Sequence, residues 1–330
     1  MSAARVIIAG QAGGTHVGSS LLRAADELGM DAWLLDVACA YAGPRLVRSI
    51  AWRAARRAPR GRSFGVALLR MVEERAADLV LAVGLAPIEP TVLRELGARG
   101  VRRVAFLTDD PWNPALCGPR WRRTLPQYDR IFTTRTANLV DLRAAGCRRV
   151  TWLPFGYDPV LFRPPAERPE EDHDVVFAGG ADADRAPLFA ALAEAGFSVA
   201  LYGGYWNRFR GTRALARGHA DPAALPDILA AGRVALCLVR RANRDGHAMR
   251  SLELPAVGTC MLVEDTPEHR VLLGEDGEAV VYFSDPPSMR ARLEALLEAP
   301  AERRRLAAAV HARVTAGGHT YRQRLLALMS

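Results

Sequence analysis

The stretch from Val234 to His269, VALCLVRRANRDGHAMRSLELPAVGTCMLVEDTPEH, leaves this chain few folds to choose from. Val234 to Val239 is an apolar run that suits a buried strand, and it leads into a polar loop containing a glycine. The loop opens into a short helix, Arg250 to Val257, which stops at Gly258, and a second apolar strand, Cys260 to Val263, follows at once. Strand, loop, helix, strand is the unit of a parallel α/β sheet. Loops at the carboxyl ends of such strands hold ligands, because helix N-termini aim unpaired main-chain N–H groups into the crevice there.

Asp245 and Glu253 bracket that loop. Between them Gly246, His247, Ala248 and Met249 offer amides able to cradle a phosphate, with Arg250 as a fixed positive charge beside them. A surface helix with a solvated glutamate and a capping aspartate would meet the same spacing. The spacing resembles the acid-x7-acid signature of retaining, nucleotide-sugar-dependent glycosyltransferases of the GT-B fold. In that family the second acid bonds the donor ribose hydroxyls and the first lies near the donor sugar. The resemblance therefore implies that Glu253 holds the ribose and Asp245 orients the sugar, with Asp in place of the family's usual Glu. Arg250, Leu252, Glu253, Gly258 and then Thr266-Pro267 are similar to the R-x-F-E-x-x-x-x-G and T-P pattern of the CgeB-like (spore maturation protein) branch.

A chain of 330 residues is long for one core and suits two domains of about 150 residues each. The formal net charge is +8, and all 44 basic residues are arginine. Without lysine there is no P-loop lysine, no Schiff base to pyridoxal phosphate and no lysine general base, which excludes a glycogen-phosphorylase-like catalyst. Any grip on a diphosphate must be made by guanidinium groups, which match phosphate oxygens well. Cys39, Cys117, Cys147, Cys237 and Cys260 are scattered with no C-x-x-C and no histidine at metal spacing, so a reduced, cytoplasmic setting is expected. The N-terminus enters a strand directly, and no signal peptide is expected. No apolar run reaches the ~18 residues needed to span a bilayer.

From the start, a strand Arg5 to Ala9 is followed by the glycine-rich loop from Gly10 to Gly18, a helix Ser19 to Leu28 and a strand Trp33 to Val37. This opening is Rossmann-like, although its glycines do not follow G-x-G-x-x-G. His16 in that loop either touches acceptor or donor, or is solvated. Residues 42–75 carry Arg45, Arg48, Arg53, Arg56, Arg57, Arg60, Arg62 and Arg70 among apolar residues. The pattern fits helices with a solvated basic face, and peripheral membrane contact through residues 45–70 is compatible with it. No nucleic-acid motif accompanies the charge, so no nucleic acid is expected as partner. Strands Asp78 to Gly84 and Val101 to Thr108 follow, the second ending in Asp109-Asp110-Pro111. Carboxylates at that strand end suit a general base or a sugar-hydroxyl acceptor, while Asp-Pro also favours a plain turn. CgeB-like proteins show a similar D-D-P. After a strand in Tyr128 to Arg135 and a helix to Ala145, TWLPFGYD at 151–158 resembles the end of the family's N-terminal domain, and residues 158–172 read as a linker.

The second half repeats the logic: strand Asp174 to Phe177, turn Gly179-Gly180, and Arg185 opening a helix. This resembles the family's F-V-G-x-x-x-x-R segment, in which amides and a basic residue meet the donor phosphates. Tyr202, Tyr205 and Trp206 at the next strand end either stack on a nucleobase or fill the core. The closing His319-Thr-Tyr-Arg-Gln-Arg324 matches the family's H-T-Y-x-x-R.

The resemblance thus implies an α/β protein of GT-B architecture, two Rossmann-like parallel-sheet domains facing a cleft. The expected parts are an acceptor domain at 1–160, a donor domain at 161–315 and a helix at 316–330 that packs back on the first domain. It implies a retaining transfer with no metal and no prosthetic group. The donor would be a UDP, GDP or dTDP sugar, and the acceptor a small molecule, glycan or protein. A nucleotide-sugar epimerase of the same fold and a non-enzymatic basic module for anionic polymers are the alternatives.

Overall fold

The computed structural model describes residues 4–56 and 58–330, except the side chains of Val47, Arg48, Ala54 and Ala55. Arg57, the Arg48 side chain and the first three residues, where no leader was expected, lie outside the described residues. The chain forms two compact units: Met1–Phe155 with Arg240–Asp245 and Tyr321–Ser330, and Gly156–Val239 with Gly246–Thr320.

The first unit runs β1 (Val6–Gly10), α1 (Val17–Glu27), β2 (Ala32–Asp36), α2 (Arg45–Ala55), α3 (Gly61–Glu74), β3 (Leu79–Val83), α4 (Pro90–Ala98), β4 (Arg102–Leu107), α5 (Pro119–Arg122), β5 (Arg130–Thr133), α6 (Asn138–Ala144) and β6 (Val150–Trp152). All neighbours are parallel, in the order β2-β1-β3-β4-β5-β6, with Ile7 opposite both Trp33 and Val80. β1 and β3 are apolar and buried at every position, as central strands covered on both faces must be.

The second unit runs β7 (His173–Ala178), α7 (Arg185–Glu194), β8 (Val199–Tyr202), β9 (Ala216–Gly218), α8 (Leu225–Ala230), β10 (Gly232–Cys237), α9 (Arg250–Val257), β11 (Met261–Glu264), α10 (Pro267–Leu273), β12 (Val281–Phe283), α11 (Pro286–Glu298) and α12 (Pro300–Ala316). Its parallel sheet has the order β12-β11-β10-β7-β8-β9. The last helix, α13 (Tyr321–Met329), belongs to the first unit and packs against α1. Arg324 of the closing motif is buried there, its Nε donating to the Pro154 and Phe155 carbonyls at 2.8 and 3.0 Å.

Residues 158–172, read as a linker, fall inside the second unit, because Asp158 and Phe162 are buried in it. Residues 240–245, which the strand-loop-helix reading left in one piece with 246–249, are part of the first unit instead. Among the described residues no helix is long and apolar enough to cross a membrane.

Candidate functional site

In the second unit the sheet order reverses between β7 and β10: the chain moves from β7 to β8 on one side and later places β10 on the other. The carboxyl ends of such a strand pair form the crevice where ligands of open α/β sheets sit. Two arginines meet there. Arg185, at the start of α7 and 6% exposed, donates to the Gly180 carbonyl after β7 and the Leu238 carbonyl after β10, both at 3.2 Å. Arg250, the first residue of α9, donates from Nε to the Ala178 carbonyl at 2.9 Å and pairs through Nη1 with Glu253. Glu253 is 1% exposed, one turn into the helix. Spacing alone left open a solvated glutamate; burial beside a guanidinium is what the structure has.

The Gly179-Gly180 turn is fixed from β8. The Gly179 amide donates to the Tyr202 carbonyl at 2.8 Å, and its carbonyl accepts from the Trp206 indole at 2.8 Å. Gly203 sits at φ +126°, and a Cβ there would lie 2.4 Å from the Gly179 oxygen, so only glycine lets the two turns approach. Trp206 is fully buried and packs edge-on against Phe177 and Phe189 at 5.7 and 5.2 Å. Of the three aromatics offered for base stacking it is therefore core, Tyr205 is 56% exposed and Tyr202 is partly buried.

The 246–249 loop is held by side chains that sequence reasoning did not single out as partners. The Thr266 hydroxyl bonds the Gly246 carbonyl, and the His247 ring pairs with Glu268 at 2.6 Å. The Ala248 amide donates to Ser251 Oγ at 3.0 Å, so this member of the expected phosphate cradle is engaged within the loop. Ser251 Oγ in turn lies 2.8 Å from His269 Nε2, and His269 Nδ1 lies 2.7 Å from the Glu264 carbonyl. A neutral imidazole donating from Nδ1 and accepting at Nε2 completes that chain. Loss of water around the ring brings His269 down to about 4, against a smaller upward pull from the Glu264 bond. A Cβ at Gly246 would meet Glu268 at 2.3 Å, which fixes glycine at the head of the loop.

Asp109, Asp110, Asp245 and His16 all belong to the first unit. Asp110 is buried, and both carboxylate oxygens are taken by Arg244 at 2.6 and 2.9 Å, with Asn138 and the Trp112 amide adding bonds of 2.8 and 2.9 Å. Burial acts to raise its carboxyl, yet these donors outweigh it and hold it below the usual carboxylate range. Asp110 thus anchors residues 240–245, and its pair with Arg244 opposes the base role expected of it. Asp245 pairs with Arg135 and accepts from Asn243 at 3.0 Å; burial raises its carboxyl against the opposing pull of Arg135. Asn243 reaches Asp109 more loosely, at 3.4 Å, which leaves Asp109 the least committed of the three acids. His16 caps α1 in the loop after β1; desolvation lowers its ring and Asp36 acts the other way. Among the described residues it shares no hydrogen bond with the aspartates. Arg135, Asn138, Asn243 and Arg244 were missed because their partners lie up to 134 residues away.

The chain from Arg185 to Ser330 matches the family model described as glycosyl transferase-like. Three solved structures share the fold. Sucrose-phosphate synthase from Thermosynechococcus elongatus is 14% identical with a TM-score of 0.72, the alignment covering 99% of this chain and 97% of that one. Anabaena HepE in complex with UDP-glucose is 12% identical with a TM-score of 0.68, covering 98% and 99%. A UDP-forming α,α-trehalose-phosphate synthase from Burkholderia xenovorans is 13% identical with a TM-score of 0.61, covering 99% and 98%. A comparison with curated protein sequences finds no match. The two parallel six-stranded sheets are the GT-B fold that these structures share, and residues 185–330 are similar to the glycosyl transferase-like family.

Proposed function

We propose that the protein transfers a sugar, with retention and without a metal ion, from a nucleotide-diphosphate sugar to an acceptor hydroxyl, in the manner of the CgeB-like branch. The observation that carries this reading is the meeting of Arg185, Arg250 and buried Glu253 at the β7/β10 switch point. Glu253 takes the ribose hydroxyls, and the two guanidinium groups take the diphosphate with the amides of Gly180, Gly246 and Met249, those of Gly179 and Ala248 being engaged already. Tyr202 borders the same turn. In the reaction the bond from the anomeric carbon to the diphosphate oxygen breaks, and its electron pair leaves with the nucleotide. The acceptor oxygen bonds to the same face of the sugar, and its proton passes to the departing phosphate. Charge builds on the leaving diphosphate, so fixed cations at that place lower the barrier. HepE, solved with UDP-glucose, makes a UDP sugar the first donor to try. Asp109 and His16 in the first unit are the proposed acceptor-side polar groups, and residues 1–155 the acceptor domain.

Titration calorimetry with UDP tests the donor site. Glu253→Gln keeps the shape beside Arg250 but loses the charged acceptor, and should weaken UDP binding by about tenfold or more, the worth of a charge-assisted hydrogen bond. Unchanged affinity would remove Glu253 from the ribose. Turnover that persists in EDTA supports the metal-free reading. Release of UDP without added acceptor, together with an epimeric sugar, would replace transfer by epimerisation.

A further inference from the structure

The first unit holds a cavity of about 350 Å³ at the carboxyl ends of β2, β3 and β4 that plays no part in the donor site. That volume lies within the range of small-molecule pockets. Arg56, Arg62, Arg94, Arg120 and Arg123 line it, with Glu89 as the one acid among the described lining residues. None of these five guanidinium groups has a carboxylate partner among the described residues, whereas Asp110, Asp129 and Asp245 of the same unit each grip an arginine. Trp52, Trp121, Tyr41, Pro87 and Ile88 supply flat, apolar walls. The Trp121 ring is fixed by its indole bond to the Ala86 carbonyl at 3.0 Å. Arg56 caps α2 at φ +48°, a left-handed position where glycine is the unstrained choice, and its guanidinium lies 5.5 Å over the Trp52 ring. The arginine at that position places charge and ring side by side at the wall.

Five guanidinium groups with no carboxylate partner among the described residues, set beside flat apolar walls, match a phosphate or carboxylate carried on a flat apolar ring. We propose that this cavity binds such a ring-bearing anion, and, on the reading of the protein as a transferase, that this is the class of its acceptor.

The test uses the full chain and calorimetry with 1-naphthyl phosphate, inorganic phosphate, 1-naphthol and UDP. Expected is binding of 1-naphthyl phosphate at least tenfold tighter than either inorganic phosphate or 1-naphthol. The double variant Arg94→Gln/Arg120→Gln, at two exposed positions, should lose at least tenfold for 1-naphthyl phosphate with UDP affinity unchanged. Trp52→Leu should weaken 1-naphthyl phosphate and leave inorganic phosphate alone. Equal binding of 1-naphthol and 1-naphthyl phosphate, or no loss in the arginine double variant, overturns the proposal. If UDP binds and 1-naphthyl phosphate does not, the cavity assignment alone falls; if 1-naphthyl phosphate binds as expected and UDP does not, the donor reading falls and the cavity stands.

Discussion

The two units have the same sheet plan and use arginine in opposite ways. In the first, buried Asp110 holds Arg244 and Asp245 holds buried Arg135, so carboxylates and guanidinium groups more than a hundred residues apart are paired. In the second, Arg185 and Arg250 find their carboxylates three residues away, in Asp182 and Glu253, and reach across to strand-end carbonyls of β7 and β10. A pair between distant residues ties segments together, while a local pair leaves the guanidinium to be oriented by the strand ends. The first arrangement fastens a chain segment, residues 240–245; the second keeps positive charge fixed at the place where a sheet of this topology takes its ligand.

If that contrast holds, the largest effect belongs to the closed network. Asp110→Ala leaves buried Asn138 and half-exposed Arg244 without their acceptor and should cost about 3 kcal/mol in urea unfolding, the low end for a buried pair because water reaches Arg244. UDP affinity should change less than about twofold, within ordinary scatter for a site not touched. A variant of normal stability that had lost turnover would instead return Asp110 to the chemistry.

Next comes pH. His269 titrates near 6.5 when unfolded and about 4 when folded, so its folded pKa is depressed. Its stabilising contribution is complete above about 6.5 and is lost as pH falls through about 4, roughly 3 kcal/mol in total. Asp110 is also depressed, from the ordinary carboxylate value, so its contribution survives to lower pH and goes only below that range. The second unit should therefore weaken first on acidification, and His269→Gln should flatten that part of the stability profile. A profile already flat between pH 6.5 and 4.5 in the unsubstituted protein would mean that the imidazole does not resist protonation.

The smallest effect is Ser251→Ala. It removes the hydroxyl between the Ala248 amide and His269, leaving buried polar groups unpaired at a cost of about 1–3 kcal/mol. A loosened 246–249 loop should also raise the KM for donor more than it lowers kcat; the reverse split would put Ser251 outside the donor site.

Much of the fold could be read from residue order. Helix α9 has the bounds that its apolar spacing and Gly258 suggested, and the strand runs fall within a residue or two of those expected. Arg185 and Arg250 were identifiable because each opens a helix after a strand and a turn, which local patterning marks, and Glu253 through the resemblance that its spacing from Asp245 carries. Ser251 and His269 were not, since a serine inside a helix and a histidine in the next helix carry no pattern until the sheet brings them within 2.8 Å. Nor could the sequence tell that the loop divides at Asp245/Gly246, with its first half held by Asp110 and Arg135.

What the sequence by itself determined was where the strands and helices lie, that their connections are parallel, and that every cation except histidine would be a guanidinium. Those features follow from steric preferences and apolar periodicity over a few residues. Only the tertiary structure decided which guanidinium pairs with a distant carboxylate and which strand-end carbonyls each one reaches. That choice depends on the order in which strands enter the sheet, and strand order places side chains beside one another that stand more than a hundred residues apart in the chain.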